Sequence, residues 1–337
     1  MPAATGGKVR QIFTAALRGI LVMAAITAFT DLRAVAQSFP SQPIKLVVPA
    51  APGGSTDILA RSMAQLIQQQ TGVSVVVDNR AGAGGTIGVG AVVHAPPDGH
   101  TLLVTVPDGI TVLPHLRKDI PYRAAQDLMP IGLMAETSWL FAVNAGSPFK
   151  TMKDLIAAAA AKPGSIRYSS PGIGTSAHLV TERLRLQSNT DMLHVPYKGA
   201  GPATMAVVMG EVDMIATSPI SLKAFLDGGK IRGLAITGGR RSAVLPDIPT
   251  MEESGFAGFV ASAWFGVFAP AGLSADRAEQ VDRIVSAAVR HPDFQKQILA
   301  MGLDPRLMNR TEFAAYVAAD STRWREVVEK SKVSLSD

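Results

Sequence analysis

Cysteine is absent from the 337-residue chain, which excludes disulfides and thiolate metal sites and leaves the redox compartment unmarked. Charge is sparse: Asp, Glu, Lys and Arg make up 18% of residues against 47% hydrophobic, so a large core is available and global disorder is excluded. Six histidines occur, at 94, 100, 115, 178, 194 and 291, with no H-x-H or H-E-x-x-H spacing, so no metal site is expected. There is no G-x-S-x-G elbow, the turn that presents the serine of an α/β-hydrolase. Basic residues are scattered among acids, which leaves no nucleic-acid footprint.

Apolar runs long enough to cross a bilayer are also missing. The N-terminus instead carries basic Lys8, Arg10 and Arg18, an apolar stretch over 19–29, and the small-residue site Ala34-Val35-Ala36. This order is that of a secretory signal peptide, residues 1–36, with cleavage near Ala36/Gln37 and a periplasmic mature chain. Removing Lys8, Arg10, Arg18, Arg33 and Asp31 takes away a net +3, so the formal charge of +5 falls to +2.

The mature chain is organised around Val47-Val48-Pro49-Ala50-Ala51-Pro52-Gly53-Gly54-Ser55-Thr56-Asp57. The apolar run 44–48 predicts a buried strand that Pro49 ends. Gly53 and Gly54 form a tight turn, and Ser55, Thr56 or Asp57 caps a helix over 58–70. Free N–H groups at such a helix start attract an anion. No lysine follows these glycines, so the loop does not match a phosphate-binding P-loop. It reads as a carboxylate cradle, and a bulky side chain at Gly54 is expected to crowd it.

Further units follow. Strands are predicted at 73–77 and 101–105, with a second glycine loop at 78–86 between them; this alternation implies a parallel sheet with its glycine turns at the strand ends. Residues 106–127 read as irregular. The apolar runs 131–135 and 140–144 read as strands, a second set of units spans 166–237, and helices over 274–290, 292–301 and 311–330 close the chain. The plan is two α/β lobes: lobe 1 from 37–138 plus 263–337, and lobe 2 from 139–262 inserted within it.

Lobe 2 repeats the cradle in Tyr168-Ser169-Ser170-Pro171-Gly172-Ile173-Gly174-Thr175-Ser176. Gly172 to Ala177 also fits G-x-G-x-x-A, but Asp191 precedes the next strand instead of ending it, so a dinucleotide is not expected and no cofactor is assigned. A secreted serine hydrolase acting on a small ester or amide stays open as the alternative, since Ser55, Ser170 and Ser176 lie in turns with His178 and His194 near in sequence.

Several stretches together resemble the periplasmic solute-binding proteins of tripartite tricarboxylate transporters, the TctC or Bug family. They are Pro43 to Asp57, Asp78 to Gly85, Pro97-Asp98-Gly99, Ser169 to His178, His194 to Gly199, Leu245 to Thr250, Trp264-Phe265-Gly266 and Ala269 to Gly272. The match runs in order along nearly the whole mature chain. It implies a two-lobed, type II-like periplasmic-binding-protein fold, α/β, each lobe a mainly parallel sheet flanked by helices. The ligand cleft would lie between the lobes.

It also implies a non-enzymatic, monomeric receptor that hands a small organic carboxylate to membrane transporter subunits, or to a membrane sensor. The implied ligand contacts are Ala50, Ala51, Pro52, Gly53, Gly54, Ser55, Thr56 and Asp57 in the first cradle. The second contributes Ser169, Ser170, Gly172, Gly174, Thr175, Ser176 and His178. Gly84, Gly85, Tyr197, Lys198, Thr217 and Ser218 complete the set. Many members have Phe at the position of Ala50, Tyr at that of His100 and Asn-Pro where Leu113-Pro114 stands. The ligand is therefore not transferable from the family, and the wall over 106–113 is expected to differ.

Overall fold

The computed structural model describes residues 39–333 apart from 198 and 243, so the export leader expected over 1–36 lies outside the described residues. From Gln42 onward the chain forms one compact unit that contains two sheets. Strands β1 (Ile44–Val48), β2 (Val75–Asn79), β3 (Thr101–Thr105) and β4 (Leu128–Ser138) enter the first. Strands β5 (Leu140–Asn144), β6 (Arg167–Ser170), β7 (Leu193–Pro196), β8 (Met214–Thr217) and β9 (Ile231–Ile236) form the second. The chain then returns through β10 (Ser262–Pro270) and β11 (Asp304–Met308) to the first. The strand orders are β11-β4-β10-β3-β1-β2 and β7-β6-β8-β5-β9.

Each sheet is mixed, which corrects the expectation of mainly parallel sheets: at least half of the strand pairings in each are antiparallel. β1 runs parallel to β2 and β3, and β6 parallel to β7 and β8. These neighbours need crossovers, supplied by helices α1 (Ser55–Thr71) and α2 (Thr86–Val93) in one lobe. In the other, α3 (Met152–Ala161), α4 (Ser176–Ser188), α5 (Ala200–Val208) and α6 (Pro219–Asp227) lie between the strands. The strands nearest the crossing between sheets are antiparallel, β10 against β3 and β4, and β5 against β8 and β9. A chain that leaves through β4 and comes back through β10 has to reverse its direction there. β11 was not foreseen, because Pro305 argues against a strand; it sits at the sheet edge, where a residue without an N–H is tolerated.

Helices α7 (Ala275–Arg290), α8 (Pro292–Ala300) and α9 (Arg310–Ser331) close the chain. The start of α9 is set by a capping box in which Asn309 accepts from the Glu312 N–H while Glu312 accepts from that of Asn309. Phe313, near this start, packs with Trp264 and Phe268 on the first sheet, while Trp324, Val327 and Val328, near its end, join the core of the second. Between them, buried Asp320 accepts hydrogen bonds from Trp264 Nε1 (2.9 Å), Thr111 Oγ1 (2.8 Å) and Arg323 (3.1 Å). That carboxylate anchors the segment after β3, which coils as a wide turn over Asp108–Val112 and a short helix over Leu113–Leu116.

Only Trp139 separates β4 from β5, and Ala261 precedes β10. Thr237 knits the two crossings together. Its backbone exchanges bonds with the Trp139 carbonyl and the Ala261 N–H, and its hydroxyl accepts from Trp139 N–H and donates to the Ala261 carbonyl (2.6–2.9 Å).

Gly266 lets α9 lie close on β10, since a Cβ there would stand 2.3 Å from Phe313 Cζ. Gly266→Ala is expected to cost about 1–3 kcal/mol through overpacking, read as a lower midpoint in guanidinium unfolding; a midpoint equal to that of the wild type would contradict this packing.

Candidate functional site

A cavity of about 490 Å³ opens between the two lobes. Its walls are turns at the carboxyl ends of parallel strands, where open α/β sheets take ligands. Pro49 and Ala50 follow β1, residues 82–85 follow β2, and Thr105, Val106, Asp108, Gly109, Leu113 and Arg117 come from the end of β3 and the coil after it. Ile173, Gly174 and Thr175 come from the turn between β6 and α4. A depression of similar size, about 480 Å³, lies elsewhere, between second-lobe helices and the end of α9, where Arg185 and Asp191 pair with each other. It has no strand-end turns in its wall.

The first cradle is held from behind. Asp57 is buried and accepts from Gly53 N (2.8 Å), Arg61 Nε (3.0 Å) and Asn79 Nδ2 (3.0 Å). Asn79 also donates to the Ala50 carbonyl (3.1 Å). Burial pushes the Asp57 carboxyl up, but Arg61, Gly53 and Asn79 outweigh it and hold the group below the usual carboxylate range. Asp57 therefore fixes the loop. Of the first-cradle candidates, Ala50 lines the cavity, Ala51, Pro52, Gly53 and Gly54 are exposed, Ser55 is half-buried and Thr56 is buried in α1. A Cβ at Gly54 would meet only the Ala51 carbonyl, at 3.8 Å, so the loop itself has room for one. The tight position is Gly84, in the cavity wall. Its φ of +67° suits glycine, and a Cβ there would lie 2.6 Å from Leu113 Cδ1. Gly85 lies beside it in the same wall.

The second cradle is filled by the protein itself. Gly172 N–H donates to Ser170 Oγ (3.2 Å) and Gly174 N–H to His178 Nδ1 (3.0 Å). Thr175 caps α4 by accepting from His178 N–H, and its own hydroxyl donates to the Gly172 carbonyl. Ser176, the first residue of α4, turns both its N–H (3.2 Å) and its hydroxyl toward Asp108 Oδ1. Asp108 belongs to the coil after β3, so this contact joins the two lobes. Withdrawal from water raises the Asp108 carboxyl above the usual range, against the pull of Ser176.

Beneath the turn lies a stacked polar group. The rings of His178 and His194 are 3.9 Å apart and nearly parallel, and Tyr168 stacks on His194 at 4.8 Å. Tyr168 donates its hydroxyl to Glu182, which also pairs with Arg185. Ser170 Oγ is 2.7 Å from His194 Nε2 and 3.0 Å from the Gly172 carbonyl. This pair resembles a nucleophile and its base, but Ser170 is fully buried and its hydroxyl is committed to the turn. Ser169 is likewise buried and donates to the Ala203 carbonyl. These two serines support the cradle from below.

Among the remaining candidates, Tyr197 is half-buried against the second-lobe core and gives its N–H to the Ser170 carbonyl. Thr217 is buried at the end of β8, Ser218 precedes α6 as its cap residue, and Lys198 lies outside the described residues. Ala50, Gly84, Gly85, Gly174 and Thr175 are thus the candidates brought together in the cavity wall. Sequence reasoning missed Asp108 and Arg117. Pro107-Asp108-Gly109 has the composition of an ordinary turn, and nothing local marks its carboxylate as reaching the other lobe.

A family model described as "Tripartite tricarboxylate transporter family receptor" matches residues 59–333. Among solved structures, a Rhodopseudomonas palustris protein with adipate is 29% identical, covers 88% of this chain and 99% of its own, and superposes with a TM-score of 0.78. MatC from the same species, with bound malate, is 30% identical, with 86% and 100% covered and a TM-score of 0.74. The periplasmic binding protein BugD is 31% identical, with 88% and 99% covered and a TM-score of 0.74.

The histidine pair makes stability depend on pH. Burial holds His178 down to about 4, with Arg185 adding to it; burial and the neighbouring His178 do the same for His194, also to about 4. Unfolded, both titrate near 6.5, so their contribution is complete above that value and is lost as pH falls toward 4. Urea unfolding is expected to give a lower stability at pH 4.5 than at pH 7.5, and His194→Gln to reduce the difference; equal stability at both pH values would contradict the neutral pair.

Proposed function

The chain belongs to the tripartite tricarboxylate transporter receptor family, and from that premise we propose that it captures a small organic carboxylate outside the cytoplasm and delivers it to membrane subunits of such a transporter. The carrying observation is the cavity between the lobes, whose wall is made of strand-end turns from both. Adipate and malate in the two Rhodopseudomonas proteins support a carboxylate as the ligand class. The glycine turn over 82–85 brings its backbone into the cavity wall, a setting in which charge-assisted bonds from N–H groups hold an anion.

In this reading the lobes are 37–138 plus 263–337 and 139–262, and they move about the crossings at Trp139 and Ala261 that Thr237 ties together. Residues 1–36 direct export to the periplasm, the compartment named for BugD, and the mature receptor starts at Gln37 and works as a monomer. It performs no covalent chemistry. The burial of Ser170 supports this over a hydrolase, because a nucleophile must reach its substrate.

Isothermal titration against aliphatic and aromatic carboxylates is expected to find at least one acid bound with micromolar affinity, about −8 kcal/mol, and X-ray scattering to show a smaller radius of gyration on binding. Ala50→Phe, which puts a ring into the cavity, is expected to weaken the larger acids at least tenfold while leaving the thermal midpoint in place. Absence of acid binding together with ester turnover would replace the receptor reading with the hydrolase.

A further inference from the structure

We propose that Asp108 determines specificity by occupying the second-lobe anion position itself, so that the cavity takes a ligand with one carboxylate and a hydrogen-bond donor at its other end, such as an ω-amino or ω-hydroxy acid, in preference to a dicarboxylate. The inference rests on the receptor reading above and narrows its ligand class.

The two lobes present different chemistry to the cavity. On the second-lobe side, the N–H groups of Gly172, Gly174 and Ser176 and the hydroxyls of Thr175 and Ser176 are already engaged. The group that engages Ser176 is a carboxylate from the opposite lobe, so the place a second ligand carboxylate would fill is taken. Both bonds that Asp108 accepts fall on Oδ1, which leaves Oδ2 as an acceptor at the cavity that Asp108 lines. Among the described residues no cation lies within ion-pair distance of Asp108. Arg117, on the same wall, directs Nε and Nη2 to Asp119 at 2.9 and 2.5 Å. A ligand carboxylate near Asp108 therefore meets a like charge with no counter-ion among the described residues, in a site withdrawn from water where such charges repel strongly. An ammonium or hydroxyl donates to Oδ2 instead. The first-lobe side has the glycine turn over 82–85 in its wall for the carboxylate, so the two ends of the ligand are told apart.

The test is titration calorimetry at pH 7.5 with length-matched acids: butyrate, 4-aminobutyrate and succinate, then hexanoate, 6-aminohexanoate and adipate. The wild type is expected to bind the amino acid of each set at least tenfold more tightly than the matched diacid. Asp108→Asn and Asp108→Ser, checked by circular dichroism and thermal melting, are expected to shift that ratio at least tenfold toward the diacid. Ser176→Ala, which removes the hydroxyl partner and keeps the charge, is expected to retain the wild-type order. A wild type that prefers the diacid, or a ratio unmoved in folded Asp108 variants, overturns the inference and leaves the receptor reading intact. Failure of every acid to bind any of the proteins overturns the receptor reading, and this inference with it.

Discussion

A turn that leaves a parallel strand and opens a helix carries backbone N–H groups that no carbonyl of the helix can reach. Both lobes are arranged around this shortage of acceptors. In the first lobe the carboxylate of Asp57 takes the Gly53 N–H from behind, with Arg61 and Asn79 holding it in place. In the second lobe the acceptors are Ser170, His178, the Gly172 carbonyl and, across the cleft, Asp108. The two turns look alike as sequence. They differ in where the compensating acceptor comes from, and this makes one face of the cavity differ from the other.

The contact between Asp108 and Ser176 depends on the position of the coil after β3, and that position depends on α9. Asp320 holds Thr111 and Trp264 together from within the core. Burying a carboxylate is expensive unless its oxygens are hydrogen-bonded, and here three donors meet it. The last helix of the chain thus sets the wall of a cavity whose other parts come from its first and middle thirds. The same helix packs Phe313 on the first sheet and Trp324 on the core of the second, so it ties the two cores together beside the crossings at Trp139 and Ala261.

Much of the architecture was legible along the chain. The apolar runs 44–48, 101–105 and 140–144 correspond to β1, β3 and β5, because a strand buried on both faces needs an unbroken apolar run. The glycine turns were visible for the same reason that they are needed: only certain residues allow a chain to leave a strand and start a helix in so few steps. Less visible were the antiparallel halves of the sheets and the edge strand β11. Pairing between β4 and β10 joins residues more than a hundred positions apart, and β11 contains a proline that only an edge location excuses.

The sequence by itself determined the local chemistry: a cysteine-free α/β chain, two glycine-rich turns at strand ends that open helices, and the ordered motifs of a receptor family; the first of those helices starts at Ser55 without the side-chain cap expected there. Each of these follows from interactions within about a dozen residues. Tertiary structure alone decided what those turns do. It buried Ser169 and Ser170 beneath the second turn, turned Asp57 into a brace, left Gly84 and Ala50 in the cavity wall, and brought Asp108 to Ser176 across 68 positions of sequence. The reason is physical: a hydrogen bond between lobes depends on distance in space, and a local pattern carries no information about which distant acceptor will fold into reach.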